Sequence, residues 1–201
     1  MSVLVGRAAP DFNAPAVLKD GAIVNDYNLH KNIKGKYAVI VFYPLDFTFV
    51  CPSELIALDH RSEKLRQKGV EVISVSVDSH FTHNAWRNTS VKEGGIGPVK
   101  YTMVADINHK ITQAYGVEHS EAGVAFRATF LIDQKGVVRH EVVNDLPLGR
   151  DMDELLRMVD ALQFFDEHGE VCPAGWQKGQ SGMKADTKGV AEYLAQHADK
   201  L

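Results

Sequence analysis

Cysteine is scarce in this chain: there are two in 201 residues, Cys51 and Cys172, set 121 positions apart. Neither belongs to a Cys-x-x-Cys pair, so zinc binding has little support and no short-loop dithiol is present. Two distant thiols in a reducing compartment fit a redox or catalytic pair better than a structural disulfide. Positive charge is also short. The net charge of −4 at pH 7 gives no basic field for a polyanion, and nucleic acid is not an expected partner. No apolar run approaches the roughly 20 residues of a membrane span. The opening Met1-Ser2-Val3-Leu4-Val5-Gly6-Arg7 lacks both the basic start and the apolar length of a secretory leader. The expectation is a soluble cytoplasmic protein with no membrane partner. What the chain does have is core-forming residues, 45% hydrophobic, enough for one compact domain with an appended arm.

The chemistry gathers around Cys51. Tyr37-Ala38-Val39-Ile40-Val41-Phe42-Tyr43 is a run of β-branched and aromatic residues that reads as a fully buried strand of an α/β sheet. Beyond it, Cys51, Leu55, Leu58 and Leu65 fall on one face of a helix, with Glu54, Asp59, Arg61, Glu63 and Lys64 on the others. Pro52 fits only near the start of that helix, where a missing N–H costs little. Cys51 therefore sits at a helix start beyond the carboxyl end of a strand, the place where ligands bind in open α/β sheets. Unpaired N–H groups and the positive end of the helix dipole favour thiolate at such a position, and the thiolate is the nucleophile. Thr48 is spaced to bring its hydroxyl beside the sulfur, donating to the thiolate or to a second atom bound there. Pro44 offers no donor and can wall a pocket. A lone cysteine is more often a small buried hydrophobe, and it is this setting that argues otherwise.

Pro44, Thr48 and Cys51 match the Pro-x-x-x-Thr-x-x-Cys signature of peroxiredoxins. The longer string from Phe42 to Pro52 resembles their typical two-cysteine branch, which includes bacterial alkyl hydroperoxide reductase C. The resemblance implies a thioredoxin-like α/β fold, a central mixed sheet flanked by helices, with an N-terminal β-hairpin and a C-terminal arm. It implies that Cys51 attacks hydroperoxides and becomes a sulfenic acid. Arg127-Ala-Thr-Phe-Leu-Ile-Asp133 resembles the segment carrying the family's active-site arginine. A fixed cation there favours thiolate and stabilises the leaving oxygen, and Glu54 is expected to hold Arg127 in a bidentate grip. Val171-Cys172-Pro173 followed by Trp176 resembles the resolving-cysteine segment, which in the family forms a disulfide between two subunits. Implied partners are hydroperoxide substrates, thioredoxin or a flavoprotein disulfide reductase as electron donor, and further copies of the chain, as a dimer assembling into a decameric ring. No cofactor and no metal are called for.

The rest of the chain fits this frame. Asp20-Gly21 between short apolar runs signals a hairpin ahead of the main sheet. Gly69 ends the Cys51 helix, and Val70–Val77 supplies a strand parallel to the first. Ser79 caps a helix from His80 to about Asn88, whose His80 and His83 have no third ligand and are expected on its exposed face. Trp86 is expected in the core, and the resemblance puts it close to the active site. Gly94-Gly95-Ile96-Gly97 marks a turn without nucleotide-loop spacing and resembles the Gly-Gly-Leu-Gly loop of readily over-oxidised peroxiredoxins. Such members pair it with Tyr-Phe in the terminal helix. Tyr193-Leu194 stands there instead, so intermediate sensitivity is expected. Strands at 128–132 and 137–143 precede a helix from Asp151 to about Glu167. The predicted division is a peroxidase domain, 1–167, and an arm, 168–201, closed by a helix from Thr187 to about Gln196.

Three other readings are open to the same residues. A thioredoxin-like exchanger needs both thiols in one short loop, and here they are far apart. A holdase or peroxide sensor could use Trp176, Tyr193 and Leu194 as a partner surface, but would consume at most one equivalent of peroxide per Cys51. A cysteine peptidase needs a histidine base, and nothing singles out one of the nine.

Overall fold

The computed structural model describes residues 3–200. In chain order the elements of the first part are strands β1 (Asn13–Val17) and β2 (Ile23–Asn28), helix α1 (Leu29–Ile33), strand β3 (Tyr37–Phe42) and helix α2 (Cys51–Gln67). Strand β4 (Val70–Ser76), helix α3 (His80–Asn88), strand β5 (Thr102–Ala105) and helix α4 (Lys110–Ala114) follow. A small pair, β6 (Glu118–His119) and β7 (Val124–Ala125), precedes β8 (Arg127–Ile132) and β9 (Val138–Asn144). Helices α5 (Met152–His168) and α6 (Thr187–His197) complete the chain.

One seven-stranded mixed sheet runs in the order β2-β1-β5-β4-β3-β8-β9. β3 pairs parallel with β4 through the α2 crossover, and β4 parallel with β5; β8 lies antiparallel on the other side of β3. All six residues of β3 are buried, as its unbroken apolar run requires of a central strand covered on both faces. Burying each of Val39, Ile40 and Val41 contributes about 1.5–3 kcal/mol of transfer free energy. On one face Phe42, Tyr115 and Phe130 pack ring to ring at 4.9–5.7 Å between centroids.

The hairpin forms as its sequence predicts, with Val17 opposite Ile23 and Gly21 at φ 91°, where a Cβ is disfavoured. It does not stand ahead of the sheet, however. Ala16 and Val17 pair antiparallel with Val104 and Met103 of β5, because fully buried strand residues need ladder partners on both sides.

The chain divides into two compact units, Met1–Met152 and Asp153–Leu201. The predicted boundary at 167/168 differs, since α5 groups with the residues after it. Within this second unit Arg157 Nη1 donates to Trp176 O at 2.9 Å, and the Phe164 and Trp176 rings lie 4.8 Å apart. Val171 and Met183 exchange two backbone hydrogen bonds, each 2.9 Å. Trp176 is buried, so the segment expected to be an extended arm folds back on its own helix.

Candidate active site

Tyr43 continues the β3 ladder by one residue, its N–H donating to Val75 O at 3.1 Å. Pro44 has no N–H, and there the chain leaves the sheet. It is buried. The chain turns over the carboxyl end of β3 and enters α2 at Cys51, which is fully buried on the first turn. Antiparallel pairing of β3 with β8 sets Val41 opposite Thr129. Two residues further along each, Tyr43 and Arg127 therefore come to the same end of the sheet. Arg127, the first residue of β8, is buried beneath α2, and its Nη1 lies 3.4 Å from Cys51 Sγ.

That guanidinium is fixed on two further sides: Nε donates to Leu146 O at 2.6 Å, and Nη1 to Glu54 Oε2 at 2.8 Å. A fixed cation therefore lies directly against the sulfur, at the first turn of α2. The partner of the sulfur is thus a guanidinium and not the imidazole that peptidase chemistry needs.

Two expectations need correction. Glu54 belongs to the buried side of α2 with Cys51 and touches Arg127 by a single nitrogen. Its bidentate partner is Arg150, Nε to Oε1 at 2.8 Å and Nη2 to Oε2 at 2.9 Å, and the Arg150 backbone N–H adds a bond of 2.7 Å to Oε1. Arg150 Nη1 donates in turn to Ala128 O at 2.6 Å. A buried carboxylate flanked by two arginines can satisfy its four lone-pair sites only by dividing them. Burial works to raise the Glu54 carboxyl, while the hydrogen bonds and charge of Arg150, then the charge of Arg127, outweigh it and hold it below the usual range. Second, the Thr48 hydroxyl donates to Leu45 O at 2.8 Å. Its proton is committed to the turn, so its oxygen is left to accept from an incoming group.

Arg150 was not among the residues singled out from sequence. The signal was slight: Gly149 before it, where an added Cβ would lie 3.3 Å from Val50 Cγ1, marks a close approach to the start of α2.

His80 and His83 are buried, contrary to the exposed face predicted for them. His83 finds partners for both ring nitrogens, Asp46 Oδ2 at 2.7 Å and Val104 O at 3.1 Å, and this is what permits its burial. Trp86 is fully buried, its ring 6.2 Å from Tyr43 and 5.7 Å from Phe47 in the turn before Cys51, with Nε1 donating to Gly94 O at 2.9 Å. Gly95 is required beside it, because a Cβ there would meet Thr89 O at 2.0 Å. Among the described residues no group of three or more His, Cys, Asp or Glu side chains is placed to hold a metal.

In the second unit Cys172 is a half-buried free thiol whose Sγ donates to Ala161 O at 3.4 Å. Burial pushes this thiol up, and the charge of Arg157 opposes the shift.

A thiol at a helix start, over the end of a thioredoxin-like sheet and against a fixed guanidinium, marks a thiol-based oxidoreductase. Comparison with known proteins gives the family. Residues 5–141 match the AhpC/TSA family, residues 161–196 match the C-terminal domain of 1-Cys peroxiredoxin, and the chain belongs to the peroxiredoxins. It is 55% identical over 199 residues to alkyl hydroperoxide reductase C of Helicobacter pylori strain 26695, covering 99% of this chain and all of that protein. It is 51% identical to peroxiredoxin-2 of Macaca fascicularis, covering 96% of each. The reduced 2-Cys peroxiredoxin of Plasmodium vivax superposes with a TM-score of 0.92 at 46% identity, over 96% of this chain and all of that one.

Proposed function

We propose that this peroxiredoxin reduces hydrogen peroxide and organic hydroperoxides through Cys51, with Cys172 as the resolving thiol. The observation that carries the reading is the 3.4 Å contact of Arg127 Nη1 with Cys51 Sγ at the first turn of α2. The Cys51 thiolate attacks the terminal oxygen of the hydroperoxide in line with the O–O bond. An S–O bond forms and the O–O bond breaks. The departing alkoxide or hydroxide takes up a proton and leaves as alcohol or water, and Cys51 is left as sulfenic acid.

Each neighbour has a part. Arg127 donates to charge building on the oxygens, the preorganised electrostatic help that is worth most in a buried site. Glu54 and Arg150 keep that guanidinium from swinging away. The Thr48 oxygen accepts a hydrogen bond from the hydroperoxide O–H, and Pro44 closes the wall without offering a competing donor. Cys172 then attacks the sulfenic sulfur, an S–S bond replaces the S–O bond, and water departs. A Cys51–Cys172 disulfide between two subunits of a homodimer, a decameric ring and a cytoplasmic setting belong to the same proposal; of these, likeness to a 2-Cys peroxiredoxin supports the disulfide. An external dithiol, thioredoxin or a flavoprotein disulfide reductase, returns both thiols.

Turnover assays offering each reductant in turn, run beside non-reducing electrophoresis after one equivalent of peroxide, test the scheme. The expected result is multiple turnover with one reductant and a disulfide-linked dimer that Cys172→Ser abolishes. Consumption limited to one equivalent with every reductant would leave a sensor or holdase.

A further inference from the structure

His83 is fully buried, and the chemistry above gives it nothing to do. Its Nε2 faces Val104 O at 3.1 Å, and a carbonyl can only accept, so Nε2 carries a hydrogen. One more proton lies between Nδ1 and Asp46 Oδ2, 2.7 Å apart. Whether that proton rides on nitrogen or oxygen, the pair is neutral overall, which is how two ionisable groups come to be buried together without a net charge. The other Asp46 oxygen accepts from the Tyr43 hydroxyl at 2.6 Å. The Asp46 backbone N–H donates to Asp78 Oδ2 at 2.9 Å, and that oxygen is held by the Ser76 hydroxyl at 2.7 Å. Asp46 is thus tied to β3, β4 and α3, and through His83 to β5.

Asp46 stands in the turn between Pro44 and Thr48. The next residue, Phe47, has φ 52°, a left-handed conformation that a Cβ disfavours. Such a conformation persists only where its surroundings over-determine it. Here the surroundings are the clasped Asp46 on one side and the Trp86 ring, 5.7 Å from the Phe47 ring, on the other. Thr48 follows directly. The position of its oxygen therefore depends on a backbone bend that Asp46 enforces.

We infer that His83, acting through Asp46, is a positioning residue for the turn from Pro44 to Thr48, setting the place of the Thr48 oxygen without touching substrate. This rests on Cys51 being the sulfur that hydroperoxide oxidises. The nucleophilicity of Cys51 depends on other groups, the start of α2 and Arg127. Loss of the clasp should impair reaction with hydroperoxide, which needs its second oxygen placed, far more than reaction with an alkylating agent, which does not. A histidine that only stabilised the core would show no such selectivity.

The test compares two rates in full-length protein carrying Cys172→Ser: oxidation by hydrogen peroxide, followed by tryptophan fluorescence, and alkylation of Cys51 by iodoacetamide. For His83→Gln the expectation is an oxidation rate about 10- to 100-fold lower with alkylation changed by no more than about twofold. Asp46→Asn combined with His83→Gln replaces the clasp by an amide pair and is expected to recover part of the loss. Tyr43→Phe removes one partner of Asp46 and should give a milder selective loss, and it carries the test if His83→Gln does not fold. Equal falls in both rates, or unchanged oxidation, would overturn the inference. If the parent protein reacts with hydrogen peroxide no faster than a free thiol, it is the role of Cys51 that fails.

Discussion

Arg150 holds Glu54 by two parallel bonds, Nε to Oε1 at 2.8 Å and Nη2 to Oε2 at 2.9 Å, whereas the arginine beside the sulfur reaches the same carboxylate through one nitrogen. All three side chains are almost wholly buried. The stronger grip therefore belongs to the residue farther from the chemistry. Arg150 fixes Glu54, Glu54 fixes Arg127, and Arg127 meets Cys51.

Arg150→Met tests that order. Removing one partner of a buried ion pair costs about 3–5 kcal/mol, because the remaining charge stays buried. Urea unfolding should show a loss of that size, and stopped-flow oxidation of Cys51 should slow as Arg127 loses its restraint. Arg150→Lys should recover only part of either, since an ammonium cannot make the bidentate contact. Full recovery with lysine would contradict the account.

The same carboxylate gives a pH signature. Glu54 in the folded chain sits below its ordinary range, so the unfolded chain binds its proton more readily. The stabilisation is complete above the unfolded carboxylate range and is lost as pH falls through the folded-state titration. Glu54→Gln should flatten the acid side of a plot of unfolding free energy against pH. An unchanged acid slope in the variant would show that the carboxylate does not make this contribution.

Much of this site was legible in the sequence because its signals are local. A strand-like run, Pro52 near a helix start and the Pro44, Thr48, Cys51 spacing all lie within about twenty residues, where backbone preferences speak directly. Arg127 was reached by resemblance, and β8 does place it against the sulfur. Arg150 was not legible: it sits outside regular structure and meets Glu54 across 96 positions. His83 misled for a different reason. The buried side of α3 carries His80, His83, Trp86 and Arg87; His83 and Arg87 become core residues there because carbonyls and Asp46 satisfy them, while His80 Nδ1 is buried without a hydrogen-bond partner among the described residues. Arg87 alone donates to Leu18 O, Lys19 O and Val99 O. Hydrophobic periodicity cannot report a buried face made of satisfied polar groups.

Over-oxidation gives a further prediction. Leu194 is 43% exposed on α6, beside a half-buried Tyr193. An aromatic ring in place of Leu194 buries more apolar surface and should delay release of the segment carrying Cys172. Leu194→Phe is expected to raise the yield of Cys51 sulfinic acid at graded peroxide, read by mass spectrometry. An equal or lower yield would remove packing of this helix as the control.

The claim beneath all of these is that peroxide oxygen goes first to Cys51. Dimedone trapping on reduced protein, given one equivalent of hydrogen peroxide and quenched within the first turnover, reads it by peptide mass spectrometry. The account predicts the adduct on Cys51 in the parent and, more abundantly, in Cys172→Ser, with none in Cys51→Ser. An adduct on Cys172 while Cys51 remains a thiol, or peroxide consumption by Cys51→Ser at the parent rate, would contradict it.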